Sequence, residues 1–466
     1  MEFKDRNQDL FLDEKSLIEL PALIWSILII CCLLLAFSLL FFECYIVLFL
    51  FLGFCLTIAI FFNLYIGILI FLAGAYLHPT TFFPVLQQFH IARNLAFGVL
   101  FIWIFHTVIY RDFSIVKAPQ NLIIIAFSIL FFSSSLREFN YSFPIFLELM
   151  SKAVILYFAV ANIVKSRRQS IILIGTVIIL GAISASVGLY QYTHHIGLRI
   201  SSGVRIFGTT ENPNILASEL VFLVPLLICL FVNQKKIMVK GLIVLIAFLV
   251  MVAIVLTFSR AGAIVLLFVL FFSIKNFVFK KQRISLAVLY TLSVMIVGML
   301  LILPFLPEQY LERLQTITNL EEISVRSRLE AWKIASEITI ENPFLGAGPG
   351  LFPFEFGLKA LSSPEIKTRF MLLHAHNLYL NVSAECGILA SLLLILLIYF
   401  SWKHLNVARV QFKEKGDFLL SDVSGALAIS LIAFALLNML TSHLQLLIFW
   451  IIIGFSVALR ELSRNE

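Results

Sequence analysis
The chain has 466 residues, 61% of them hydrophobic and only 13% charged, with a mean hydropathy of +1.01. Soluble domains are about 45–50% apolar and about 25% charged, so a water-soluble fold is excluded. The formal net charge of +7 does not point to nucleic acid, because Lys and Arg collect in short segments between apolar runs, as they do in the connectors of membrane proteins.

Residues 1–20 are charged and of mixed sign, which reads as a cytoplasmic N-terminal tail and not as a cleavable signal. Apolar runs then recur from end to end. They predict an all-α fold, a polytopic integral membrane helical bundle of about 12–14 transmembrane helices with one long external loop. Continuous Leu, Ile and Phe runs exclude the alternating strands of a β-barrel. Spans are expected near 22–42, 44–61, 63–77, 94–110, 120–136, 144–163, 169–191, 213–232, 238–257, 260–277, 284–305, 376–402, 423–440 and 444–460. The stretch 21–77 reads either as two long spans or as three short ones. The bundle thus occupies 21–305 with an external loop at 192–212, a long external loop fills 306–375, the last transmembrane helices lie in 376–460, and 461–466 is a cytoplasmic tail.

Basic residues set the orientation. Lys165, Arg167 and Arg168, then Lys235, Lys236 and Lys240, then Lys280, Lys281 and Arg283, and finally Lys403, Arg409, Lys413 and Lys415 fill four connectors. Placing all four in the cytoplasm satisfies the positive-inside rule, leaves both termini inside and favours three spans in 21–77. The six cysteines, Cys31, Cys32, Cys44, Cys55, Cys229 and Cys386, lie in or beside apolar runs with no CxxC pair, so neither disulfides nor a zinc site is expected. Within the long loop, 325–340 places Leu329, Trp332, Ile334, Ala335 and Ile338 near a helical spacing. That predicts an amphipathic helix lying on the membrane or capping the bundle, broken afterwards by the Pro- and Gly-rich run ENPFLGAGPGLFPF.

Three stretches face the outer side and put cationic or ionisable groups where apolar helices begin or end: 203–214, 258–262 and 372–381. An interfacial Arg either snorkels to headgroups or grips a phosphate with its fork. Arg205 fits both readings, whereas Arg260, with apolar residues on both sides, calls for an anionic partner. His376 stands at a helix start, where it serves as a polar anchor or as a general base kept neutral by the positive helix end. Further candidate substrate-binding residues are Arg199, Asn212, Asn214, Arg326, Arg328, His374 and Asn377. His374 and His376, two apart, make a poor metal pair, and His194–His195 fares no better, so no metal is expected. Glu148 and Lys152 are spaced for an ion pair. GAGPG follows no strand, which leaves a nucleotide fold unsupported.

The run HNLYLNVSAECGIL resembles the His-Asn, nine residues, Gly signature of the bacterial O-antigen ligases: His376 and Asn377, nine residues from Leu378 to Cys386, then Gly387. That family usually has Gly, Thr or Tyr three residues further on, where this chain has Ala390. The turn at 259–262, the run at 342–350 and Arg205 upstream of Asn212-Pro213-Asn214 are similar to the same superfamily, which includes O-antigen polymerases. The resemblance implies a metal-independent glycosyltransferase without a cofactor, in the bacterial inner membrane, with its site facing the periplasm. The donor would be an undecaprenyl-pyrophosphate-linked glycan, and the acceptor a sugar hydroxyl of lipid A-core or of another glycan. His376 would deprotonate or position the acceptor, while Arg205 and Arg260 hold the pyrophosphate. Polymerisation of lipid-linked repeats is the nearest rival and a protein O-glycosyltransferase a third. A transporter is a rival of another class, and would favour carboxylates buried in mid-span.

Overall fold
The computed structural model describes residues 57, 60–78, 90–111, 114–200, 203–280, 282–302, 323–362 and 374–465. The chain divides into Met1–Gly67 and Ile68–Glu466. In the first unit the Asn63 side chain accepts from Tyr65 N (3.1 Å), opening helix α1 (Leu64–Tyr76). The spans expected before residue 57 lie outside the described residues.

The second unit continues with α2 (Ile91–Tyr110), α3 (Pro119–Ser135), α4 (Phe139–Ile163) and α5 (Arg167–Thr193). A short antiparallel hairpin follows, β1 (Leu198–Ile200) and β2 (Gly203–Arg205), with Arg199 opposite Val204. Next come α6 (Pro213–Asn233), α7 (Ile237–Leu256) and α8 (Arg260–Ser273), whose end widens into a π turn (Ile274–Val278), then α9 (Ile284–Ile302). The remaining helices are α10 (Ile323–Glu341), α11 (Phe352–Ser362), α12 (Leu378–Cys386), α13 (Ile388–Glu414), α14 (Phe418–Leu437) and α15 (Leu447–Asn465). Apart from the hairpin, the described elements are helical, as lipid requires of a backbone that must pair its own polar groups.

Eight described helices are long and apolar enough to cross a membrane: α2, α4, α5, α6, α7, α8 with its π turn, α13 and α14. Shorter apolar helices are α1, α3 and the Ser285–Val297 part of α9. The protein is therefore an all-α, multi-pass membrane protein. Helices α6 and α14 lie at its centre. Ser430 donates to Phe222 O across them (2.7 Å), and Phe434 stacks on Phe449 of α15 at 4.0 Å. By contrast α7 turns Leu242, Val244, Leu245 and Phe248 outward, an apolar surface suited to hydrocarbon.

Local sequence sets the helix starts. Ser166, Asn212, Ser259, Asn377 and Asp417 each cap a helix through a side-chain oxygen, and Pro119 and Pro213 occupy first positions where no N–H is needed. One end of the bundle gathers the basic connectors. Arg167 Nε meets Asp417 Oδ2 at 2.7 Å, and Asp422 Oδ2 accepts from both Lys280 Nζ (2.8 Å) and Asn233 Nδ2 (2.9 Å). Helices α6, α7 and α8 run between this end and the other, which carries Arg205, Arg260 and the start of α12.

Three expectations need correction. The apolar stretch 376–402 is not one span, because Gly387 (φ 90°) splits it into α12 and α13. The polar stretch holding Lys403, Arg409 and Lys413 is not a loop, since α13 continues to Glu414. The long segment 306–375 contains two helices among its described residues. Ala331, Ile334, Ala335 and Ile338 of α10 pack with Phe352, Phe356 and Ala360 of α11 and with Ala384 of α12, so the amphipathic helix caps the bundle. Leu329, expected on the apolar face, is 49% exposed.

Candidate functional site
The Arg205 side chain is placed by three chain segments. Gln191, buried at the end of α5, donates to Gly208 O (2.7 Å) and accepts from Phe207 N and Gly208 N, which fixes the chain leaving the hairpin. Ile206 N then donates to Leu256 O at the end of α7 (3.2 Å). Arg205 Nε donates to Thr257 O (2.8 Å), and Nη2 donates to Asn214 Oδ1 (3.1 Å) at the start of α6. Asn212 accepts from Asn214 N (2.8 Å) and caps the same helix. Both asparagines singled out from the sequence therefore engage the chain itself, one as a cap and one as a support for Arg205.

Three residues beyond Thr257 lies Arg260. Phe258 takes a left-handed conformation (φ 53°), Ser259 caps α8 by accepting from Gly262 N (3.3 Å), and Arg260 is the first helical residue. Its residue is 9% exposed, a guanidinium brought to the head of an otherwise apolar helix. Arg205 and Arg260 are thus tied to a single turn.

The third stretch forms around Asn377. Its Oδ1 accepts from Tyr379 N (3.1 Å) and Leu380 N (3.2 Å), satisfying two of the open donors of α12. His376, one residue earlier, takes a left-handed backbone conformation (φ 48°). Leu378 N donates to Asn438 O (2.8 Å), joining this start to the end of α14. Burial, then the Arg328 guanidinium and then His374, push His376 down to about 4, so it is neutral at pH 7. His374 is more exposed.

Arg328 lies on α10, so the long segment 306–375 supplies a charge that acts on His376. Arg326, two positions earlier on the same helix, belongs to a different face. The β1 residue Arg199 pairs with Val204 across the hairpin.

One residue escaped the sequence reading. His443, in the turn between α14 and α15, has Nδ1 3.2 Å from Ser218 Oγ on α6, and its backbone N donates to Asn438 Oδ1 (2.9 Å). Burial, followed by the fields of His376 and His374, pushes it down to about 3. A signal was present, because a histidine in a short polar break between apolar runs falls on the same side as His376.

The Asn-Pro-Phe-Leu-Gly-Ala-Gly-Pro-Gly run locks the far end of α12. Ala347 N and Gly348 N donate to Ala384 O (2.8 Å) and Glu385 O (2.9 Å), and Ile388 N donates to Pro343 O (2.9 Å). Gly346 and Gly387 are needed there. A Cβ on Gly346 would sit 2.3 Å from the Glu385 carbonyl carbon, and one on Gly387 2.2 Å from Phe344 O, while both residues have positive φ. Ser134 Oγ lies within hydrogen-bond reach of Leu345 O (2.6 Å) and Glu385 O (2.7 Å), and Arg137 donates to Asn342 Oδ1 (2.8 Å) and to Gly346 O. The glycine-rich run thus packs a helix break, in keeping with the absence of any preceding strand. Glu148 and Lys152 form the expected ion pair at 2.7 Å, shared with His90 and Arg93.

These features define a multi-pass helical membrane protein with a site of guanidinium groups and neutral imidazoles at the end opposite its basic connectors. Residues 245–395 match the family model described as O-antigen ligase, which supports the O-antigen ligase-like superfamily. The matched stretch, just under a third of the chain, contains Arg260, Arg328, His376 and Gly387, while Arg205 and His443 lie outside it. No curated protein matches the chain. The match supports a membrane enzyme of the O-antigen ligase and polymerase type, a family whose members imply glycosyltransferase-like activity on lipid-linked glycans.

Proposed function
We propose that this protein transfers a glycan from an undecaprenyl-pyrophosphate-linked donor to a sugar hydroxyl, ligating O-antigen to lipid A-core at the periplasmic face of the inner membrane. The observation that carries the reading is a neutral His376, held between a helix-capping Asn377 and the charge of Arg328, at the same end as Arg205 and Arg260. In this mechanism the His376 imidazole takes the proton of the acceptor hydroxyl as its oxygen attacks the anomeric carbon of the donor. The bond from that carbon to the phosphate oxygen breaks, and undecaprenyl pyrophosphate leaves with the electron pair. Arg260 and Arg205 bear on the leaving charge, where a preorganised cation acts most strongly. Burial, reinforced by the Arg328 guanidinium, keeps the imidazole unprotonated before substrate arrives. No metal takes part in any step.

The test uses purified full-length protein, lipid-linked donor and lipid A-core, with chelator present. His376→Ala should lower turnover by about 10²–10⁴-fold, the usual value of a positioned general base, with donor binding nearly unchanged. Near wild-type transfer by this variant would overturn the mechanism. Turnover that needs a divalent ion would overturn its metal independence. Chain extension of lipid-linked repeats, with lipid A-core untouched, would assign the protein to polymerisation.

A further inference from the structure
The basic end of the bundle holds a cavity of about 740 Å³, remote from the His376 end. Lys280, from beyond the π turn, lines it together with Asn276 on that turn, Asn406, Arg409 and Lys413 on α13, and Asp422 on α14. Arg409, Val410 and Lys413 lie three, four and seven positions after Asn406, so a single stripe of α13 faces the cavity. Asn276 on the π turn and Lys280 just beyond it add further polar lining.

Charge inside the cavity is unbalanced. Asp422 is 6% exposed and already engaged by Lys280 (2.8 Å) and Asn233 (2.9 Å). Arg409 and Lys413 make no hydrogen bond or ion pair with a side chain among the described residues. The guanidinium of Arg409 lies against Gly425, where a Cβ would come within 3.2 Å of Nε. Two cations four residues apart on a helix repel one another, and a walled cavity strengthens their joint field. Such an arrangement is relieved by an anion that reaches both. Val410 and Phe418, 55% and 59% exposed, also line the cavity and add an apolar surface that a soluble anion does not need.

We propose that this cavity binds the phosphate-ester headgroup of an anionic phospholipid from the leaflet at the basic end, with its chains along Val410 and Phe418. The chemistry is that of a phosphodiester gripped by a guanidinium fork and an ammonium. It is independent of the glycan-transfer reading, since no residue of the His376 end takes part.

The experiment is lipid titration of the purified, delipidated full-length protein, followed by native mass spectrometry and by the thermal unfolding midpoint. Phosphatidylglycerol, phosphatidylcholine and inorganic phosphate are the three probes. Phosphatidylglycerol should bind and raise the midpoint, and phosphatidylcholine should not. A basic residue near a membrane surface contributes about fivefold in affinity, so Lys413→Gln should weaken phosphatidylglycerol about fivefold and Arg409→Gln/Lys413→Gln roughly 25-fold. Lys236→Gln, at the same end but outside the cavity lining, should leave affinity unchanged. Lys413 is exposed, so its single variant remains informative if the double variant folds poorly. Equal binding by wild type and Lys413→Gln, equal binding of phosphatidylcholine, or an equal midpoint shift with inorganic phosphate alone would each overturn the proposal.

Discussion

Replacing Asn377 separates two jobs that its position beside His376 leaves entangled. As a cap its Oδ1 serves two amides, Tyr379 N and Leu380 N, at 3.1 and 3.2 Å. Loss of such a cap costs about 1 kcal/mol, within a usual range of roughly 0.5–2. Asn377→Ala should therefore open the first turn of α12 about fivefold more often, read as faster hydrogen exchange at these two amides. Aspartate and serine both cap well, so Asn377→Asp and Asn377→Ser should restore slow exchange. The aspartate brings one further effect. A carboxylate next to His376 favours the imidazolium, so the acid limb of the pH–rate profile should move to higher pH in Asn377→Asp and stay in place in Asn377→Ser. If all three variants lose the same amide protection, the side chain is not acting as a cap. If Asn377→Ser caps but loses donor affinity, Asn377 contacts substrate directly.

Two further predictions concern the same end of the protein. Gly387→Ala has to place a methyl 2.2 Å from Phe344 O in a left-handed backbone, so stability should fall by about 1–3 kcal/mol, measured by thermal unfolding against Gly241→Ala, where a Cβ meets nothing. The folded pKa of His376, about 4, and of His443, about 3, lie below the ordinary histidine value of about 6.5. The unfolded chain then binds more protons between these limits, so their contribution to stability is complete above about pH 6.5 and is lost as pH falls towards 4 and then 3. His376→Gln should flatten that acid slope, and an unchanged slope would mean that His376 is not held neutral.

Long apolar runs were legible because lipid imposes one solution on a backbone. The spans expected at 213–232 and 238–257 correspond to α6 and α7 within a residue or two. The break at Gly387 was not legible in the same way. Composition is apolar on both sides of it, and what stops the helix is a carbonyl delivered from Phe344, more than forty positions earlier. The polar end of α13 misled for the opposite reason, since charged residues are good helix formers once a helix has left the membrane. Arg205, Arg260 and His376 stood out as charges among apolar neighbours, whereas the support given to Arg205 by Thr257 and Asn214 arises only from folding. His443 needed an inference about sidedness, which places a short break between two runs beside residues far away in sequence.

The nine residues of α12 act as a ruler. Asn377 fixes one end and the Gly387 break the other, about 13 Å apart along the helix axis. Residues between them can change as long as their number does not. Removing one would rotate His376 by about 100° around the axis and draw it in by about 1.5 Å, away from a guanidinium fixed on another helix. The constraint is one of count, so single-residue deletions within 378–386 should be far more damaging than substitutions at its outward-facing positions.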